Sequence, residues 1–198
     1  MTLRLLTAGL LASAALVATP VAAAPTCPRL VDTVGDSSYG LLGKGSTDLD
    51  IAEVQVASGP KTVEVAVRLA TVGGSDPELR IGSRVDARIS LAPVDYFFAA
   101  RRGLDGSWRF TMTAVRIGPD GRPTEIPERS VEGRIDAVAA EVVFVARRAD
   151  FVEKVDGRVI RLVSSQTFVG ADVSVQEADR VEGAVDYRDR GRACRRAS

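Results

Sequence analysis

Four aspartates, Asp32, Asp36, Asp48 and Asp50, fall in the stretch "LVDTVGDSSYGLLGKGSTDLDIAEVQV", where a glycine-rich loop runs straight into an apolar strand. Two chemistries fit them. Their carboxylates, joined by the main-chain carbonyls of Gly35 or Thr47, could ligate calcium, which takes roughly six to eight oxygens and accepts loop carbonyls. The same residues could equally make turns. Asp36 ahead of Ser37 suits an Asx-turn, and Asp48 suits the end of the loop. The spacing is not that of an EF-hand, whose ligands fall within roughly a dozen residues and end in glutamate. On the residues alone both readings stay open.

Other chemistry has less to build on. The chain has no histidine, so Ser-His-Asp and Cys-His pairs and histidine-ligated zinc are excluded. It carries neither a phosphate loop nor a dinucleotide fingerprint. Carboxylate pairs of the kind used in glycoside hydrolysis are allowed, but none is distinguished by spacing. A catalytic role is therefore not expected, and no catalytic residue is assigned. Among the aromatics, most sit in apolar runs and suit a core. Trp108, the single tryptophan, follows a turn and is a candidate ligand contact or rim residue. Tyr39 and Tyr187 are candidates for exposure, and Tyr39 is the second ligand candidate.

The N-terminus addresses compartment. Arg4, an apolar run from Leu5 to Val17 and the small-residue tail "ATPVAAAPTC" describe a secretory signal peptide, with cleavage after Ala23. The run is shorter than the ~20 residues of a spanning helix, and no later segment is long enough. Residues 1–23 are thus expected to be a signal and residues 24–198 a single domain, secreted or held at the cell envelope. The 26 basic and 26 acidic residues cancel, so nucleic acid and anionic membranes have no electrostatic claim on the chain. A monomer is expected. Cys27 and Cys194 stand at opposite ends of the mature chain. In an oxidising compartment they are expected to form one disulfide.

The hydrophobic pattern must position these residues, and its period is two. "KTVEVAVRLA" puts Val63, Val65, Val67 and Leu69 on one face, and "RVDARISL" does the same with Val85, Ala87, Ile89 and Leu91. "VDYFFAAR" and "SWRFTMTAVRI" flank Asp105-Gly106, a hairpin signal. Tyr96 and Phe98 then share a sheet with Trp108, Phe110 and Met112, and Phe98 and Phe110 are expected in the core. "SVEGRIDA" and "AEVVFVARR" read as a second hairpin, bringing Val142 and Phe144 into the core. The three-proline segment "GPDGRPTEIPE" reads as a polar loop, "RADFVEKVDG" as a short helix or turn, and "RVIRLVSSQTFVGADV" as a return to extended chain. The charged end "QEADRVEGAVDYRDRGRACRRAS" reads as a surface wrap pinned by Cys194. About eight short strands with regular turns describe an all-β antiparallel sandwich or barrel.

The opening "DTVGD…DLDIAEVQVASGPKTVEVAVRLA" and the tail "YRDRGRAC" resemble secreted β-sandwich domains related to family-9 carbohydrate-binding modules and DOMON-like domains. Those domains tend to share an Asp-x-x-Gly-Asp loop, an Asp-x-Asp-Ile/Leu strand entry and a Tyr-x-x-x-Gly-x-x-Cys tail. The resemblance implies a jelly-roll-like sandwich. It also implies a structural calcium at Asp32 and Asp36, with Asp48 or Asp50. No sugar-stacking aromatic pattern maps onto the middle of the chain, so the carbohydrate function does not transfer with the fold.

The expectation is a non-catalytic module that binds or scaffolds at the cell envelope, with polysaccharide as the favoured ligand. The alternatives are a carrier whose strands close into a barrel around a small apolar ligand and a carboxylate-dependent hydrolase.

Overall fold

The computed structural model describes residues 27–37, 49–70, 83–169 and 176–189. The apolar leader, Tyr39, Asp48 and Cys194 lie outside them. In chain order the strands are β1 (Arg29–Val31), β2 (Ile51–Ser58), β3 (Thr62–Leu69), β4 (Arg84–Leu91), β5 (Val94–Arg102), β6 (Trp108–Ile117), β7 (Pro123–Ser130), β8 (Glu132–Asp136), β9 (Glu141–Arg147), β10 (Val159–Val169) and β11 (Gln176–Arg188). A 3-10 turn at Arg148–Asp150 follows β9. No helix among the described residues is long and apolar enough to cross a membrane.

The fold is all-β, with two antiparallel sheets. One runs β1-β2-β3-β9-β8 and the other β11-β10-β4-β5-β6-β7. Alternation decides which face each strand buries. Val63, Val65, Val67 and Leu69 of β3 meet Val85, Ala87, Ile89 and Leu91 of β4 in one core, together with Val142, Phe144 and Phe98. Tyr96, Phe98 and Phe144 are fully buried. The Tyr96 ring tilts on Phe151 at 4.8 Å, and its hydroxyl accepts the Val152 and Glu153 N–H groups, both at 3.1 Å.

Phe110 departs from the sequence expectation, being only partly buried. It lies at the rim, edge-on to Phe144 at 5.9 Å, with its ring over the backbone of Gly133 in β8. A Cβ on Gly133 would fall 2.2 Å from that ring. Gly133 therefore lets an aromatic from one sheet close the edge of the other. Nearby, the Val131 N–H donates to the Phe110 carbonyl at 3.0 Å as the chain changes sheets.

Two segments correct the sequence reading. The proline-rich segment is a loop only as far as Arg122. From Pro123 it is β7, an edge strand on β6. Proline is tolerated there because an edge strand leaves one side of its backbone unpaired. Pro127 also falls at a register shift opposite Met112 to Ala114. The charged C-terminal segment is not a surface wrap through Arg188. It is β11, paired along β10 from Gln176 to Arg188. Its outward side chains form opposite-charge pairs, Arg161 with Asp186 and Arg180 with Glu177 and Glu182, so a polar sequence still makes a regular strand.

Truncating Phe144 to alanine should cost about 3–5 kcal/mol, as for other buried aromatics. Gly133→Ala should destabilise by about 1–3 kcal/mol through overpacking, and the loss should largely disappear in a Phe110→Ala background. Urea unfolding of the two single variants and the double variant measures the coupling, and additive losses would contradict the stacking of Phe110 on Gly133.

Candidate functional site

The acidic cluster forms where β1, β2 and β11 come together. As the chain leaves β1, the Asp32 N–H donates to the Ala52 carbonyl at 3.1 Å. The turn through Gly35 has φ +99°, a conformation open to glycine, and aims the Gly35 N–H at Asp50 Oδ2, 2.6 Å away. Asp36 follows directly. The third arm comes from the far end of the sequence. A register shift opposite Thr167 and Phe168 of β10 skips Ala178, so Ala178 and Asp179 are both buried. Asp179 accepts the N–H of Ile51 at 2.6 Å and of Arg180 at 2.7 Å. One carboxylate oxygen each from Asp32, Asp36 and Asp179 lies within 4.8 Å of the others.

The electrostatics of this cluster are unfavourable without a counter-charge. Asp50 is fully buried, and among the described residues its Oδ1 has no hydrogen-bond partner, nor has the buried Asp32 Oδ2. Burial raises the Asp50 carboxyl above its ordinary range. The Gly35 N–H opposes this, and the charges of Asp36 and Asp32 add to it. Burial likewise raises Asp32, with Asp36 adding to the shift. Asp179 is pushed furthest, to about 6, chiefly by burial and further by Asp32 and Asp36, despite the two main-chain N–H groups that hold it down. Carboxylates that repel one another while keeping unmet oxygens are suited to a hard divalent cation.

Of the four aspartates singled out in the sequence, Asp32 and Asp36 are brought together. Asp50 borders them as the buried acceptor of the Gly35 N–H, and Asp48 is outside the described residues. Asp179 was not foreseen. Its signal was present in "EADRV": Ala178 and Val181, three apart, cannot both face inward on an unbroken strand, so a bulge was needed between them. Trp108 begins β6, partly buried and packed against the core. Tyr39 lies outside the described residues. Tyr187 is not an exposed aromatic. It packs on the core, and its hydroxyl shares a 3.0 Å hydrogen bond with Ser58 Oγ.

A second feature lies on the outer face of the six-stranded sheet. There β10 carries another bulge, between Leu162 and Ser164, shared by its pairings with both β11 and β4. Beside it is an open groove of about 150 Å³, lined among others by Asp86, Arg88, Phe97, Ser164, Gln166 and Arg180. The Arg88 guanidinium lies over the Phe97 ring at 5.4 Å and pairs with Asp95 at 2.5 Å.

The raised Asp179 carboxyl makes a testable stability profile. Its native value, about 6, exceeds the ordinary 3.8, so the native state binds the extra proton. Without divalent ions, stability should rise as pH falls from 7 towards 4.5. Asp105, Asp150 and Asp186 are held below the ordinary value by their hydrogen bonds to Ser107, Arg147 and Arg161. Their contributions are lost only at still lower pH. Melting curves in chelator should show the rise for wild type and a flattened profile for Asp179→Asn, and equal slopes would contradict it. Comparison with family models, with curated proteins and with solved structures finds no match for this chain.

Proposed function

We propose that this chain is an exported, non-catalytic β-sandwich binding module of the cell envelope, with calcium pinning its acidic end. The observation that carries the reading is the convergence of Asp32, Asp36 and Asp179 within 4.8 Å, bordered by the fully buried Asp50, one of whose oxygens is unmet among the described residues. Calcium would be held by the three clustered carboxylates, with Asp50 adjacent, and would supply the charge that makes their approach favourable. It would thereby fasten the exit of β1 and the entry of β2 to β11.

Binding is favoured over hydrolysis by how Asp179 is used. A general acid must present its proton to substrate, whereas both Asp179 oxygens already accept main-chain N–H groups. An apolar carrier needs its ligand between the sheets, where Tyr96, Phe98 and Phe144 are packed.

The jelly-roll-like chain path and the terminal disulfide belong to the same reading. Cys27 is buried just ahead of β1. The Val56 N–H donates to the Pro28 carbonyl at 3.2 Å, placing Cys27 at the Ser58 end of β2. Asp189 accepts a 2.9 Å hydrogen bond from Ser58 Oγ at that same end, and Cys194 follows it five residues later in the sequence. Five residues of chain reach at most ~17 Å, enough for a return to Cys27.

With calcium at a hundredfold excess over its dissociation constant, the fold should gain about 2.7 kcal/mol over its state in chelator. Asp179→Asn and Asp36→Asn should each shrink the gain, and an unchanged wild-type melting temperature between the two conditions would overturn the calcium assignment. For the cysteines, intact mass after alkylation should show no label on secreted protein without reductant and two labels with it. Two labels without reductant would dismiss the disulfide.

A further inference from the structure

The outer-sheet groove has a chemistry distinct from the acidic cluster, and its state of charge says what it can take. Four charged side chains line it, Asp86, Arg88, Arg180 and Glu182, and each already has a partner of opposite sign. Arg84 engages both oxygens of Asp86. Arg88 donates to Asp95. Arg180 donates to Glu177 through Nε and Nη2 and to Glu182 through Nη1. A charged ligand would have to break one of these pairs and strand the partner left behind. A neutral ligand need not.

The remaining hydrogen-bonding capacity is uncharged in character. Gln166 spends its amide N–H on Glu177 at 3.0 Å, leaving its carbonyl oxygen as an acceptor. Ser164, displaced by the bulge, adds a hydroxyl that can donate or accept. Phe97 is 39% exposed on the face of β5 opposite the buried Tyr96 and Phe98, and it adds an apolar surface. The groove volume, about 150 Å³, is on the scale of one sugar ring. A pyranose has this mixed character: an apolar face of C–H groups and a rim of hydroxyls that both donate and accept.

We infer that this groove, between Phe97 and Arg88 on one side and Ser164 and Gln166 on the other, is a subsite for a neutral pyranose unit of a polysaccharide. Phe97 supplies the apolar contact, and Gln166 and Ser164 meet the hydroxyls. The inference deepens the binding-module reading by naming a ligand class and a site, and it does not depend on calcium.

The test is an array of neutral oligosaccharides built from glucose, galactose, mannose and N-acetylglucosamine in both anomeric linkages. Polygalacturonate and chitosan serve as acidic and basic controls, and hits are titrated calorimetrically. The expected result is binding of at least one neutral series, weakened at least tenfold by Phe97→Ala and by Gln166→Ala. Both residues lie on the outer face of the sheet, away from the core, so both variants should stay folded and keep the wild-type response to calcium. Binding of neither neutral nor charged glycan would overturn the inference. So would preference for polygalacturonate or chitosan, or neutral binding that both variants leave intact. The calcium response is read separately, so failure of the groove and failure of the acidic-end assignment are distinguishable.

Discussion

The attachment of β11 to β2 is the constraint on which the rest of the molecule depends. The two strands belong to different sheets and share no ladder, yet β11 is tied to β2 at both ends by buried carboxylates. At one end Asp179 accepts the Ile51 N–H. At the other, Asp189 is fully buried and accepts from Ser58 Oγ and from the Arg148 guanidinium, at 2.6 and 3.0 Å. Arg148 also donates to the Gly59 carbonyl at 2.8 Å, which draws the β2–β3 turn into the same node. A buried ion pair recovers its desolvation cost only when further hydrogen bonds complete it, and Ser58 and Gly59 do so here. Leu30 of β1 fills the space over Gly183 of β11, closing this edge with apolar contact.

The two ends of that attachment differ in electrostatic character. Asp189 is matched by a guanidinium, whereas Asp179 faces Asp32 and Asp36 and, among the described residues, has only main-chain N–H groups on its side. One end is complete within the chain, and the other has an excess of negative charge at the same packing junction. This asymmetry is the physical basis for placing the proposed cation at the Asp179 end.

Most of the sandwich was legible because its strands alternate without interruption. The hairpins β5–β6 and β8–β9 were read from strand alternation and the turns between them, and the buried faces of β3 and β4 match those read from the sequence. What escaped was polar or irregular. β7 hid behind its prolines and β11 behind its charges, because an edge strand tolerates both. Asp179 escaped because period-two reading fails at a bulge, where two consecutive residues face the same way. Asp32 and Asp36 could be singled out as acidic loop residues, but their third partner lies more than a hundred residues away and only the closing of the sheets brings it near. Phe97 was readable in principle, as the residue between Tyr96 and Phe98 that alternation must turn outward.

The same irregularity underlies both candidate sites. The β10–β11 ladder is interrupted twice, once beside Val163 and once at Ala178. The first break disturbs β10 at the rim of the groove, next to Ser164. The second turns Asp179 in towards Ile51. Regular pleating fixes side chains on alternate faces at even intervals, and it cannot by itself bring two neighbours to one face. Bulges supply that freedom at the cost of local pairing, and here they occur in the ladder nearest the sheet edge, where lost pairing is best tolerated. Asp179 and Arg180 then face opposite ways from adjacent positions, one towards the acidic cluster and one into the groove wall, with the Arg180 N–H donating to the Asp179 carboxylate at 2.7 Å. Neutralising Asp179, by a proton or by a cation, therefore acts on the acceptor of the Arg180 main-chain hydrogen bond.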